Sequence, residues 1–335
     1  MSQDLAIVIL NWNGQHHLKT YLPSVVKNSG KARIIVADNN SSDDSIKFIQ
    51  ENFPTVEIIR NESNGGFAKG YNDALQKVDS TYYCLLNSDV EVTPGWTVSP
   101  YKLLTENNHI AVCQPKIKSY LKKTHFEYAG AAGGFIDNLG YPFCRGRIFN
   151  ELEEDLNQYN DDIEIFWATG ACMFIRSKVF HQLNGFDPNY FAHMEEIDLC
   201  WRIKNKGFQV WYTSNSTVYH LGGGTLSNLN PKKTFLNFRN SLLTLYKNEP
   251  AETKKIFYRL VLDGIAGVKF LLEGRPKHLF AILKAHVSFY QTKKQYNTDL
   301  KEIITNPSRQ YNGSIISDHF IKGIKKFNQL KKGFS

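Results

Sequence analysis

The feature that most restricts the fold of this chain is a repeat in its first ninety residues, where short apolar runs alternate with helix-like segments. The runs LAIVIL (5–10), RIIVAD (33–38), VEIIR (56–60) and YYCLLN (82–87) are rich in β-branched or aromatic side chains and read as strands. Between them, residues 16–28, 43–52 and 67–78 place apolar positions at helical spacing, with Ser42 or Asp43 and Gly30 where helix caps belong. The order βαβαβαβ predicts an α/β fold with a mainly parallel sheet and helices on both faces. Ligands on such sheets bind beyond the carboxyl ends of the strands.

Each predicted strand runs into a polar cluster at that end. These are Asn11-Trp12-Asn13-Gly14, Asp38-Asn39-Asn40-Ser41-Ser42-Asp43, Asn61-Glu62-Ser63-Asn64-Gly65-Gly66 and Asn87-Ser88-Asp89. Taken singly, each is a turn or a cap. Together on one edge, they are a candidate site. The glycines of NGGFAKGYN (64–72) do not fit the dinucleotide fingerprint and no GK[ST] follows them. A Gly-Gly turn opening a helix still brings backbone N–H groups toward a diphosphate, and Lys69 adds charge there. Asn87-Ser88-Asp89, directly after a buried strand, has the oxygen donors with which a Mg²⁺ or Mn²⁺ ion is held against phosphates.

A second cluster stands far along the chain. HMEEIDLCWR (193–202) crowds Glu195, Glu196 and Asp198 beside aromatic and apolar neighbours. It is either a solvated helix face or a set of carboxylates pressed against apolar surface, where pKa values shift and acid/base chemistry is found. Residues 110–150, with the glycines of AGAAGG (129–134), read as a hairpin or loop over the site, and IFWATGACMFIRSKVFH (165–181) as a buried strand entering a helix.

The motifs ILNWNG, VADNNSSDDS, NESNGGFAKGYNDAL, LLNSDVEVTPGW, TGACMFIRSKVF, GFDPNYFAHMEEIDLCWRIKNKGF and VYHLGGGT, in that order, resemble those of family 2 inverting glycosyltransferases. More narrowly, they are similar to rhamnosyltransferase-like members that build bacterial cell-surface polysaccharides. The resemblance covers roughly residues 5–245 and implies a GT-A nucleotide-diphospho-sugar transferase fold. It also implies roles. Asp38 stands where the family holds the nucleotide base, alongside Asn11 and Asn39, and Asn64, Gly66 and Asn72 in the loop and helix that cover the nucleotide. Asp89 matches the metal-holding acid of the family's DxD-type element. Asn87 replaces the first acid, where it bonds a ribose or sugar hydroxyl. His220 matches a histidine that completes the metal site in some members. Glu196 takes the place of the catalytic base, one methylene longer than the usual Asp, with Glu195 as its neighbour and rival. Asp198 matches an acid of structural role, with Arg202 one helical turn on, and Trp167 and Gly170 fall on the acceptor side or in the supporting structure.

Charge divides the chain. Residues 1–230 hold 20 Lys and Arg against 25 Asp and Glu, a balance of −5; residues 231–335 hold 20 against 7, a balance of +13. An acidic body, 1–245, and a basic helical region, 246–335, point to an anionic surface as partner. The apolar stretch LVLDGIAGVKFLL is too short and too charged, with Asp263 and Lys269 inside it, for a membrane span. It suits a helix in a membrane interface, or one that packs on the body. A nucleic-acid partner is disfavoured because the lysines are interleaved with long apolar faces. Five cysteines without a CxxC pair and an N-terminus without a basic n-region fit a cytoplasmic protein, peripheral on the inner membrane face. The expected partners are a nucleotide-diphosphate sugar and a glycan or lipid-linked acceptor. The alternative is a non-catalytic nucleotide- or glycan-binding protein of the same fold.

Overall fold

The computed structural model describes residues 4–222, 230–249, 252–296 and 308–335. The glycines and threonine at 223–225, the end of the HLGGGT motif, lie outside them. The N-terminal third alternates as β1 (Leu5–Asn11), α1 (Gln15–Asn28), β2 (Arg33–Asp38), α2 (Ser45–Asn52), β3 (Glu57–Arg60), α3 (Gly66–Leu75) and β4 (Tyr82–Asn87). β3, β2, β1 and β4 lie side by side in that order and pair in parallel. β1 is apolar from Leu5 to Leu10 because both its faces are covered. Leu5, Ile7 and Ile9 enter one buried cluster, and Ala6 and Val8 the other. This alternation follows from the period of a strand.

β5 (Val90–Val92), α4 (Val98–Glu106) and β6 (Ile110–Ser119) come next, followed by a meander of short strands, β7 (Gly134–Asp137), β8 (Pro142–Cys144), β9 (Arg147–Ile148) and β10 (Glu151–Leu152). β11 (Ile163–Ile165), β12 (Cys172–Arg176), α5 (Ser177–Gln182), α6 (Glu195–Asn205) and β13 (Gln209–His220) complete the sheet region. Among the described residues the main sheet has nine strands, with β12 inserted antiparallel between β4 and β6. The expectation of a hairpin or loop from residue 110 is corrected here. Residues 110–119 are a central strand, buried through Lys118's predecessor Ile117. Pro115 interrupts the strand signal because it has no N–H to give a ladder. The neighbouring β13 absorbs this by a register jump between Thr213, opposite Pro115, and Thr217.

Three long helices follow, α7 (Pro231–Asn248), α8 (Glu252–Leu272) and α9 (Pro276–Thr292), packed on one another, and α7 packs on α6. The chain then returns to the meander, where β14 (Gln310–Tyr311) pairs with β7 as the edge of a five-stranded second sheet. Phe327 and Phe334 close over Phe135 at ring distances of 5.0 and 5.1 Å. Among the described residues no helix is long and apolar enough to cross a membrane.

The two sheets meet where Gly134 exchanges backbone hydrogen bonds with Trp167, both 3.1 Å. A Cβ at Gly134 would stand 2.1 Å from the Trp167 ring, so only glycine allows this approach. Gly134→Ala should therefore cost about 1–3 kcal/mol through forced repacking, read as a lowered midpoint in denaturant unfolding.

Candidate active site

At the carboxyl end of β1 and β2 the side chains close on one another. Asp38 is buried and accepts from Asn11 Nδ2 (3.0 Å) and Ser41 Oγ (2.5 Å) on Oδ1, and from Ser41 N (2.9 Å) on Oδ2. Asn39 donates to Gly66 O at 2.9 Å and accepts from Asn61 at 2.7 Å, which joins β2 to the start of α3. Asn64 Oδ1 receives Gly66 N at 3.0 Å and so organises the turn that opens α3. Lys69 is turned to Asp73 at 2.6 Å in an exposed pair. Asn72 is engaged elsewhere: its amide clasps the backbone of Phe186, with bonds of 2.7 and 2.9 Å.

At the end of β4 the arrangement is electrostatic. β13 is long enough to bring His220, its last residue, beside the turn after β4. His220 Nε2 lies 3.2 Å from Asp89 Oδ1 and 3.4 Å from Asn87 Nδ2, and its Nδ1 lies 3.3 Å from Glu127 Oε2. All three ionisable groups are buried. Burial alone would push the imidazole pKa down, yet the Asp89 and Glu127 carboxylates outweigh it and hold it up at about 10. Burial would raise the Asp89 carboxyl, and His220 overcomes this and lowers it. The edge is thus built to hold positive charge. Two donors 3.2 Å apart have the spacing of adjacent ligands on a small divalent cation, about 2.1 Å from each. Glu127 stands 3.3 Å from the ring's other nitrogen, the position from which a carboxylate would orient the imidazole if Nε2 took a cation. Ser88 packs against Gly14, its Oγ 3.8 Å from where a Cβ there would be. Among the described residues no group of three or more His, Cys, Asp or Glu converges to cage a metal unaided. A cation on Asp89 and His220 would need further oxygens, which suits one that bridges to phosphate.

The segment 168–171 links this edge to α6. Asn87 N donates to Ala171 O (3.0 Å), and Ala168 N donates to Cys200 Sγ (3.4 Å). Gly170 lets the Phe67 ring approach within 2.8 Å of a Cβ position, while Trp167 is buried and donates to Phe135 O at 2.9 Å. α6 opens with Glu195 and Glu196, whose charge its N-terminal dipole favours. Burial dominates all the same. Glu195, fully enclosed and next to Glu196 and Asp198, is raised well above the carboxylate range, and burial lifts Glu196 from the ordinary 4.5 to about 7. Oε2 of each is buried without a hydrogen-bond partner. Glu195 is the more enclosed; Glu196 keeps a partly exposed surface. Asp198 differs because burial, which would raise it, is overcome by Lys247 and Arg202, and it falls to about 2. Its oxygens take Arg202 Nε (2.8 Å), Lys247 Nζ (2.9 Å) and Asn248 Nδ2 (2.9 Å). Arg202 also donates to Leu183 O and Gly185 O, at 2.7 and 2.8 Å.

The loop before α6 is strained. Phe191, His193 and Met194 have φ of 62°, 71° and 74°, a region costly for residues with side chains. Two contacts hold it. Phe191 O accepts from Phe67 N at 2.8 Å, and the buried amide of Asn240 on α7 donates to Tyr190 O, Ala192 O and His193 O at 3.0, 3.0 and 2.8 Å. Neither Asn240 nor Glu127 stands out in the sequence. Asn240 is one amide within an amphipathic helix, and Glu127 falls in the stretch read as loop.

The profile of glycosyl transferase family 2 matches residues 6–183. An N-acetylglucosaminyl-diphospho-decaprenol L-rhamnosyltransferase of Mycobacterium tuberculosis is 22% identical over 66% of this chain and 76% of its own length. A rhamnosyltransferase of Escherichia coli, WbbL, is 23% identical over 64% of this chain and 82% of its own. Among solved structures, GalNAc-T7 with UDP, GalNAc and Mn²⁺ superposes with a TM-score of 0.59 at 16% identity, over 88% of this chain and 58% of that one. This chain therefore spans rather more than half of that structure, and the likeness is one of fold.

Two outcomes follow from the geometry. A carboxyl whose pKa rises on folding costs stability progressively as pH climbs from the unfolded value to the folded one. Between pH 4.5 and about 7, then, the Glu195→Gln/Glu196→Gln protein should gain thermal midpoint relative to wild type, and a constant difference would contradict the shifts. Asn240→Ala should cost about 1–3 kcal/mol, and Asn240→Asp, which keeps the shape and removes the donor, at least as much. An unchanged unfolding midpoint in the Asp variant would show that the amide does not hold the loop.

Proposed function

Because the chain belongs to glycosyl transferase family 2, we propose that it moves a sugar from a nucleoside-diphosphate donor to a hydroxyl of a glycan or lipid-linked acceptor, by direct displacement with inversion. The observation that carries this reading is the pairing of two opposite environments through residues 168–171. On one side Asp89, His220 and Glu127 are arranged around positive charge; on the other, Glu195 and Glu196 present buried carboxyl oxygens without partners. Displacement at an anomeric carbon needs these two environments. The leaving diphosphate gains negative charge, and the acceptor hydroxyl must lose a proton.

Glu196 is the base in this reading, because it retains access to solvent while Glu195 is enclosed. The acceptor oxygen forms its bond to the anomeric carbon as the bond to the diphosphate oxygen breaks, the electron pair leaves with the diphosphate, and the hydroxyl proton passes to Glu196. Held by Asp89 and His220, Mg²⁺ or Mn²⁺ would supply Lewis-acid neutralisation of the leaving group. The Mn²⁺ and UDP named for GalNAc-T7 support a divalent cation beside the diphosphate. His220 must give up its proton to serve as a ligand, so proton and cation compete for one place. Asp38 with Asn11 and Asn39 forms the wall for the nucleotide base, and Asn64, Gly66 and Lys69 the turn facing its phosphates.

The rhamnosyltransferase names of the two relatives favour rhamnose as the sugar and a lipid-linked glycan of cell-surface polysaccharide synthesis as the acceptor. Residues 1–245 form the catalytic unit, and the basic region 246–335 places it at the cytoplasmic face of the membrane.

Glu196→Gln should lower kcat by about 10²- to 10⁴-fold while leaving donor affinity within a few-fold. In wild type kcat should rise with pH through about 7, the pKa of Glu196, and that rise should disappear in the variant. Full activity in Glu196→Gln with loss in Glu195→Gln would move the base by one residue.

A further inference from the structure

Both helices of the C-terminal pair leave large apolar side chains in solvent. α8 buries two charged side chains, with Arg259 2% and Asp263 1% exposed, and leaves apolar ones in solvent, with Phe257 at 64% and Ile265 at 62%. Val261, Val268 and Leu272 continue that exposed row at spacings of three or four, which is one stripe of a helix. Both buried charges have partners inside. Arg259 donates to Leu139 O (3.0 Å) and Ser241 Oγ (2.5 Å) and lies 3.6 Å from the centre of the Tyr141 ring. Asp263 lies 3.2 Å from His286 Nε2 and accepts from Tyr141 OH at 3.4 Å. α8 is thus docked by its polar stripe, and its apolar stripe is left over.

α9 repeats the exposure. Phe280, Leu283, Val287 and Tyr290 are exposed, while Ala281, Ile282, Ala285 and Phe289 pack inward. Both helices pack on α7, so their far sides make one surface, extended at the edge by Phe320, 5.2 Å from Lys269 Nζ. Lys254, Lys269, Lys277 and Lys284 are exposed along it. Apolar side chains left in water over two whole helices mark an interaction surface, because isolated ones are common and contiguous ones are not.

We propose that the outer face of the α8–α9 hairpin seats the enzyme on an anionic phospholipid leaflet, with the apolar stripes at the acyl boundary and the lysines at the level of the lipid phosphates. The charge selects this occupant. Pairing two copies through the face would set lysines against lysines, whereas anionic headgroups complement them. Neither apolar contact nor basic charge alone gives firm binding to a bilayer, and this face combines them. The choice of a membrane rests on the transfer reading only for its place in the cell; the face itself is independent of that chemistry.

The test is flotation of the full chain with vesicles of phosphatidylcholine alone and of phosphatidylcholine mixed with phosphatidylglycerol. Wild type should float with the anionic vesicles and largely stay behind with the neutral ones. Phe257→Ser/Ile265→Ser/Phe280→Ser/Val287→Ser should weaken that binding by about tenfold or more. These side chains are exposed, so the thermal midpoint and nucleoside-diphosphate binding in solution should be unchanged. Lys254→Glu/Lys284→Glu should remove the preference for anionic vesicles. Wild type failing to float, or the four-serine variant floating equally well, would overturn the proposal. So would a wild-type dimer that the serines convert to monomer without any vesicle binding, since the face would then join two copies. Flotation does not require transfer, so failure of the transfer reading leaves this result interpretable, and the reverse holds for donor binding.

Discussion

The carboxylate of Asp198 is the constraint on which the packing of α6, α7 and the loop before α6 depends. It has no exposed surface, and a buried charge persists only with partners; here Arg202, Lys247 and Asn248 supply them from two helices. Breaking one partner would leave a charge in the interior, so α6 cannot slide on α7. Lys247 also bonds Asp187 at 2.7 Å and Arg202 the carbonyls of 183 and 185, which brings the loop before α6 into the same network. With α6 fixed, Asn240 can hold three carbonyls of a strained loop, and Glu195 and Glu196 emerge with one buried oxygen each, Oε2, left without a partner. Three acids within four positions thereby divide: one is an anchor held ionised near pH 2, and two are carboxyls pushed toward neutrality.

Much of this was legible in the sequence, because buried parallel strands are continuous apolar runs and their periodicity survives without tertiary information. β1, β2 and β4 lie within one residue of the predicted segments, as expected when both faces of a strand are covered. The knot HMEEIDLCWR was visible as an anomaly, and the resemblance gave it an ordering of roles. What stayed hidden depended on distance. β6 was masked by Pro115, whose missing donor is compensated by a bulge 100 residues later in β13. Glu127 gains meaning only when β13 brings His220 to it, and Asn240 only when α7 packs beneath a loop 50 residues earlier. Asp38 carries a different lesson. Its position at a strand end was plain, but both its oxygens are engaged by Asn11 and Ser41, so part of its work is to shape the wall itself.

The charge division takes a definite form in the structure. Asp263 and Lys269 look like flaws in an apolar stretch when LVLDGIAGVKFLL is read as a line. Folded, Asp263 turns inward to His286 and Lys269 outward beside Phe320, so the helix has a polar inner stripe and an apolar outer one. Ser241, which receives Arg259 from α8, is the neighbour in sequence of Asn240, which holds the strained loop before α6. α7 is therefore the shared wall between the outer helices and the site.

The proposed transfer depends most on the edge at Asp89 and His220 holding a cation for a nucleoside diphosphate. Calorimetric titration of the wild-type chain with UDP, GDP and dTDP in Mn²⁺, repeated after EDTA and in Asp89→Asn, tests this directly. At least one of these nucleotides should bind with Mn²⁺ present, and EDTA and the substitution should each abolish that binding. Equal heats with and without EDTA, or full affinity in Asp89→Asn, would contradict it.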